Sequence, residues 1–242
     1  TKSKEQNEKI RNLFKNNYML DFSLKDAIET GCILKPKIKI YMINDLDKFL
    51  KIGLTSFIEE IVSERKYINN WRGKKNIVYI PSSREHSELA YNNFNSTLNK
   101  YNDDKLSDFE NENHEFGSTL FCCRKCREGY DVSGLEFVTI IINGIEGYLL
   151  NQNGGRVLRK DYNGQEGLIN IIKVREESKN DREQIGEILD KLRKTFDMSI
   201  DEIQDIVEYC DIRESRPKSD ELIKLEEEYE KIRLSYEKIR LK

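Results

Sequence analysis

In QNGGRVLR, Gln152 to Arg159, two arginines stand three residues apart directly after a pair of glycines. Residues at i and i+3 share a helical face, so a helix beginning near Gly155 points Arg156 and Arg159 the same way. Two forked guanidiniums aimed at one spot suit an oxyanion such as phosphate. Taken alone, a solvated surface pair is the safer reading, and the rest of the chain has to decide between them.

The cysteines offer less. Cys32, Cys122, Cys123, Cys126 and Cys210 are too few and too uneven for a disulfide framework. Cys123-x-x-Cys126 has the spacing of half a structural zinc site, but a second pair is missing. Buried strand cysteines are the favoured reading, and a metal-bound module using Cys123 and Cys126 is the weaker alternative.

Elements that could position the arginines follow from periodicity. KIKIYMI, Lys37 to Ile43, alternates like a strand, and NIVYIP, Asn76 to Pro81, is a short apolar run between turn signals. Between them, Phe57 to Trp71 reads as a helix with Phe57, Ile58, Ile61, Val62 and Ile68 on its apolar side. Ser82-Ser83 can cap a helix from about Arg84 to Leu98. Three more strands are expected at Thr119 to Cys123, Phe137 to Ile142 and Leu168 to Val174. Strands separated by helix-length segments imply right-handed crossovers and a parallel sheet, whose ligands sit beyond the strands' carboxyl ends.

From about Glu176 only helices are expected: Asp181 to Phe196, then one begun by the capping-box pattern at Ser199. Beyond Pro217, Leu222, Leu225, Tyr229, Ile232, Tyr236 and Ile239 keep coiled-coil spacing over about three heptads. A seam that short is marginal alone, so 219–242 is expected to meet a helix partner or a second copy, or to be a solvated helix with one apolar side.

At 242 residues the chain can bury a real core, and 37% hydrophobic with 35% charged residues describes a folded rather than a disordered protein. No apolar run approaches the roughly 20 residues that cross a bilayer, and no signal peptide opens the chain, so an intracellular (cytoplasmic) protein is expected. A net charge of −3 argues against a general basic coat for nucleic acid but leaves room for a local basic strip.

Taken in order, NIVYIPSS (76–83), RKCREGYDVSGLEFV (124–138) and QNGGRVLR (152–159) resemble motifs IV, V and VI in the second RecA-like domain of superfamily 2 helicases and translocases. GYDVSGLEFV followed by Q-x-x-G-R-x-L-R looks like the type III restriction-enzyme and repair-translocase branch, which implies DNA rather than RNA as partner. Phe22 to Pro36 is similar to the linker by which such proteins enter this domain. The resemblance covers roughly residues 18–175. It implies an α/β fold, with an entry segment at 1–36, a RecA-like parallel sheet flanked by helices at 37–177, and an all-helical extension at 178–242.

The resemblance also implies roles. Arg159 becomes the arginine finger on the γ-phosphate and Arg156 its support, while Gln152, Gly129 and Asp131 face the nucleotide. Ser82, Ser83 and Arg84, with Arg124, Lys125 and Arg127, become candidates for holding a nucleic-acid backbone. Cys123 departs from the pattern, since many relatives have a phosphate-contacting Thr there.

No G-x-x-x-x-G-K-[ST] occurs; the one Gly-Lys pair, Gly73-Lys74, continues as Lys-Asn. Without that loop nothing cradles the β- and γ-phosphates. ATP and Mg²⁺ are therefore expected to be held mainly by an N-terminal RecA-like domain outside this sequence. The chain also opens at Thr1, as an excised piece would, and is expected not to hydrolyse ATP alone. The alternative is a stand-alone RecA-like adaptor that dimerises through its last helix.

Overall fold

A computed structural model describes residues 24–69, 75–80, 83–111, 117–123, 132, 134–142, 154–158 and 166–210. Helix α1 (Leu24–Glu29) leads into strand β1 (Pro36–Ile43). A short helix α2 (Leu46–Lys48) passes through a π-helical turn (Phe49–Gly53) into α3 (Leu54–Asn69). Strand β2 (Lys75–Tyr79), helix α4 (Arg84–Asn93), strand β3 (Asn99–Asn102), helix α5 (Leu106–Asn111) and strand β4 (Ser118–Cys122) follow. Then come β5 (Leu135–Ile142), β6 (Gly167–Val174), helices α6 (Asp181–Phe196) and α7 (Ile200–Gln204), and β7 (Val207–Cys210).

The seven strands form one sheet in the order β3-β4-β2-β5-β6-β1-β7, and every described pairing is parallel. Alternation of side chains splits its core into two layers. Val78, Phe121 and Ile172 meet Phe57, Ile58 and Ile61 of α3 and Ala90 of α4 on one face. Ile77, Leu120 and Ile171 meet Phe109 of α5, Ile188 and Leu192 of α6 and Ile203 of α7 on the other. Each of these Val, Leu, Ile and Phe side chains, once fully buried, contributes about 1.5–3 kcal/mol.

Connection direction and face change together. The chain moves one way along the sheet from β1 to β2 and from β2 to β3, through helices on the α3–α4 face. It moves the other way from β3 to β4 and from β6 to β7, through helices on the opposite face. Right-handed crossovers require that coupling.

The expected strands and the helices at 181–196 and after Ser199 are present, the latter two with complete capping boxes at Asn180 and Ser199. Two strands appear where reading the sequence expects none. The helix from Arg84 stops at Asn93, because Phe94 turns extended and buries its ring against Phe121, 5.1 Å between centroids. That frees Asn99–Asn102 to become edge strand β3, whose polar NKYN carries no apolar alternation. Likewise β7 pairs with β1 beyond Glu176, where only helices are expected; four residues are too few to give a period. Position Ile68 and the heptad segment 219–242 lie outside the residues whose side chains are described.

Candidate functional site

Neighbouring strands whose outgoing connections pass to opposite faces leave a crevice beyond their carboxyl ends. The sheet has this arrangement at β6 beside β1, and at β2 beside β5. After β5 the turn 154–158 lies on the α5–α6 face, Val157 and Leu158 packing with Ile169 and Ile171, whereas β2 leaves through α4 on the other face.

The β6/β1 crevice is tied shut by its own side chains. Arg175 donates from Nη1 to Asn44 Oδ1 (2.8 Å) and from Nε and Nη2 to Asp181 (3.0 and 3.1 Å), while its backbone N–H meets Ile43 O at 2.8 Å. Beside it, the fully buried Lys173 sends Nζ to Glu176 Oε1 at 2.7 Å, and that bond holds the Glu176 carboxyl below its ordinary range. Gln184 then clasps the Glu176 backbone from α6 through both its amide groups.

The carboxyl end of β2 is built differently. Ile80 N–H continues the pairing to Cys122 O at 2.9 Å, and the chain re-emerges at Ser83 as the extended N-cap of α4. Ser83 Oγ accepts from His86 N–H at 3.0 Å and Ser83 O from Ser87 N–H at 3.3 Å, so the amides of Arg84 and Glu85 are the first-turn donors without an intrahelical carbonyl. Arg84, its side chain 79% exposed, donates to Glu88 Oε1 at 2.8 Å and lies 3.9 Å from Asp104, and the Glu88 bond raises its pKa. From the next strand end, Cys123 N–H donates to Asp103 Oδ2 at 3.3 Å.

Of the candidates for gripping nucleic acid, Ser83 and Arg84 thus stand together at a strand end and helix start. Ser82, Arg124, Lys125 and Arg127 lie outside the described residues. Among the described residues, the acidic side chains Glu85, Glu88, Asp103 and Asp104 lie around Arg84.

Gln152, Gly129, Asp131 and Arg159 also lie outside the described residues. Arg156 lies within them. Residues 155–158 form turns, not a helix starting at Gly155, with Val157 N–H on Gly154 O and Leu158 N–H on Gly155 O, both 3.3 Å. That turn lies against the amino end of β6 and not at a carboxyl end: a Cβ on Gly167 would meet Val157 O at 2.6 Å, and Leu158 O accepts from Leu34 N–H just before β1. The cause is burial, since Val157 and Leu158 are apolar and pull the turn onto the flank of the sheet. Arg156 itself is half-buried.

Two side chains that the motifs do not single out join Ser83. His86 Nδ1 lies 3.0 Å from Ser83 Oγ, and His86 Nε2 lies 3.2 Å from Asp47 Oδ1 on α2. Ser83-x-x-His86 has the spacing of a capping box, in which the third residue's side chain turns back to the cap; nothing in the sequence ties Asp47 to it.

Among the described residues no group of three or more His, Cys, Asp or Glu is placed to hold a metal ion, and no helix is long and apolar enough to cross a membrane. Cys122 and Cys123 are buried at the end of β4, as a strand reading expects, and Cys126 lies outside the described residues.

No protein-family model and no curated protein matches the chain. Solved structures do. The ATP-dependent Type ISP restriction-modification enzyme LlaBIII, bound to DNA, aligns with a TM-score of 0.54 at 13% identity, over 84% of this chain and 17% of that one. Looser likenesses are the C-terminal domain of S. cerevisiae Dbp5 bound to Gle1 and IP6 (TM-score 0.45, 12% identity, 74% of this chain, 92% of that one) and T4 UvsW (0.42, 16%, 74% and 42%). The chain spans 17% of the Type ISP enzyme's length, and the likeness across that span identifies its fold as an α/β RecA-like parallel sheet flanked by helices.

Proposed function

We propose that this chain is the second RecA-like domain of an ATP-dependent helicase or translocase of the restriction and repair type, acting on DNA rather than RNA. The observation that carries the reading is that NIVYIPSS, the first of three motifs in helicase order, ends β2 and starts α4 in a RecA-like sheet. Ser83 and Arg84 then stand where a backbone phosphate can meet first-turn amides and a guanidinium. The Type ISP enzyme of the same fold is itself ATP-dependent and was solved on DNA, which adds to the reading.

In this reading Arg159 places its guanidinium on the charge that develops as the γ-phosphate leaves, a contribution of about 10³–10⁵ in rate. Arg156 orients it from the flank of β6, and Gln152, Gly129 and Asp131 line the nucleotide side. ATP with Mg²⁺ supplies the phosphoryl chemistry, held mainly by a P-loop domain that this sequence does not encode. Closure of the two domains would then move the grip at Ser83 and Arg84 along the strand.

The test is twofold. The purified chain should bind labelled single-stranded DNA with an affinity that falls steeply with salt, and should show no ATP turnover. Turnover by the chain alone, or DNA binding indifferent to Arg84→Ala, would sink the assignment.

A further inference from the structure

Ser83, His86 and Asp47 form a connected line whose hydrogens can be placed. If imidazole Nε2 carries the proton, it donates to Asp47 Oδ1 at 3.2 Å, and Nδ1 is left as an acceptor 3.0 Å from Ser83 Oγ. Ser83 must then donate its one hydroxyl hydrogen inward to Nδ1, while its oxygen accepts the His86 backbone N–H at 3.0 Å. Toward the outside such a serine offers only its remaining lone pair, which repels the acceptor oxygens of a phosphate.

We infer that His86 is a positioning residue for Ser83: taking up a proton at Nδ1 reverses the Ser83–His86 hydrogen bond and turns the hydroxyl hydrogen outward toward a backbone phosphate. This rests on the reading that Ser83 faces nucleic acid. With both ring nitrogens protonated, Nδ1 donates to Ser83 Oγ and Nε2 still donates to Asp47. The hydroxyl hydrogen is released, and a cation paired to Asp47 stands behind it. Binding of the phosphate and binding of the proton therefore favour each other, each by the same factor.

Among the described residues, the charged groups on the elements beside α4 are Asp47 and Lys48 on α2, Lys51 in the π-helical turn, Lys100 on β3, and Asp103, Asp104 and Lys105 beyond it; α4 itself adds Arg84, Glu85 and Glu88. Lys100 is turned away, its Nζ on the Tyr91 and Phe94 carbonyls at the far end of α4. Asp47 is in direct contact with the ring.

Two measurements on the whole chain test this. Nitrogen-15 spectra of the imidazoles at pH 8 should give the Nε2–H tautomer for His86, assigned against His86→Gln, since the chain has 2 histidines; an Nδ1–H tautomer overturns the inference. Affinity for a fluorescein-labelled oligothymidylate at fixed salt should be about three- to tenfold tighter at pH 6 than at pH 8, within the limit of about tenfold per pH unit for one linked proton. His86→Gln should flatten that dependence, and Asp47→Asn, which leaves the Ser83–His86 contact intact, should weaken it. Binding that responds to Arg84→Ala but keeps the same pH profile in His86→Gln overturns the inference alone. Binding that ignores Ser83→Ala and Arg84→Ala overturns the phosphate reading beneath it as well.

Discussion

Arg65 Nε lies 2.7 Å from Glu136 Oε1, with side-chain exposures of 7% and 4%, joining residues 71 apart in sequence. Glu136 is available because β5 carries one extra residue there: Lys75 pairs with Leu135, and Asn76 already with Phe137. Arg65 also donates from Nη2 to Glu166 O at 3.1 Å, so α3 is fastened to the amino ends of β5 and β6 together. Removing one partner leaves a buried charge unpaired, which costs about 3–5 kcal/mol. Arg65→Met should therefore lower unfolding free energy in urea by that amount. Arg65→Met with Glu136→Gln should recover much of it, because no charge is then stranded; a loss as large in the double variant would contradict this account.

Two glycines should respond to the same substitution with opposite sign. A Cβ at Gly167 meets Val157 O at 2.6 Å and Val157 C at 3.1 Å, both backbone atoms of the turn that carries Arg156. Backbone cannot step aside as a side-chain tip can, so Gly167→Ala should destabilise by about 1–3 kcal/mol. A Cβ at Gly186, mid-helix in α6, would meet nothing within 4 Å. There alanine lowers the entropy of the unfolded chain and favours helix, so Gly186→Ala should stabilise by about 0.4–1 kcal/mol. Thermal melts of the two variants side by side check both signs.

What the sequence discloses and what it hides follow from range. Apolar runs in β2, β4, β5 and β6 and the caps at Ser83 and Ser199 are local signals, and each appears in the structure. Edge strands β3 and β7 are short and half-solvated, so they need no apolar period and leave none to read. The Asp47–His86 and Arg65–Glu136 contacts join residues 39 and 71 apart, and no local pattern encodes such a pairing. The turn at 154–158 is the instructive case: the glycines are legible, but whether Val157 and Leu158 draw it onto the flank of β6 depends on Ile169 and Ile171, which belong to a later strand.

Acid should loosen the junction between α1 and α7. Lys25 Nζ lies 2.8 Å from Glu202 Oε1, and the same carboxylate accepts the Ser199 backbone N–H at 2.7 Å in the capping box. The Lys25 hydrogen bond first, and the Ser199 bonds after it, hold the Glu202 carboxyl down at about 2, below its ordinary 4.5. A depressed carboxyl contributes its stability above the unfolded value and loses it as pH falls toward the folded one. The contribution is thus whole above about pH 4.5 and fades toward pH 2. A carbon-13 titration of the Glu202 carboxyl should find its midpoint in that low range, rising in Lys25→Ala and rising also in Ser199→Ala; a midpoint at the ordinary glutamate value in the unaltered chain would refute the pairing.

Ser83 has two jobs in the proposed function, and substitutions can separate them. As N-cap of α4 it satisfies the His86 N–H at 3.0 Å; alanine there should cost about 1 kcal/mol of stability whatever the chain binds. Ser83→Asn and Ser83→Asp both keep a capping oxygen, so both should melt close to the unaltered chain. On nucleic acid the two should part. Asparagine retains a donor for a phosphate, whereas aspartate sets a negative charge before the first-turn amides that the phosphate would use. Binding to single-stranded DNA should therefore weaken sharply in Ser83→Asp and little in Ser83→Asn. Arg84→Ala removes an exposed cation rather than a cap, so it should weaken binding without lowering the melting temperature and reduce the salt slope by about one counterion. Equal DNA affinity for the asparagine and aspartate variants would mean that α4 starts at the end of β2 for structural reasons alone.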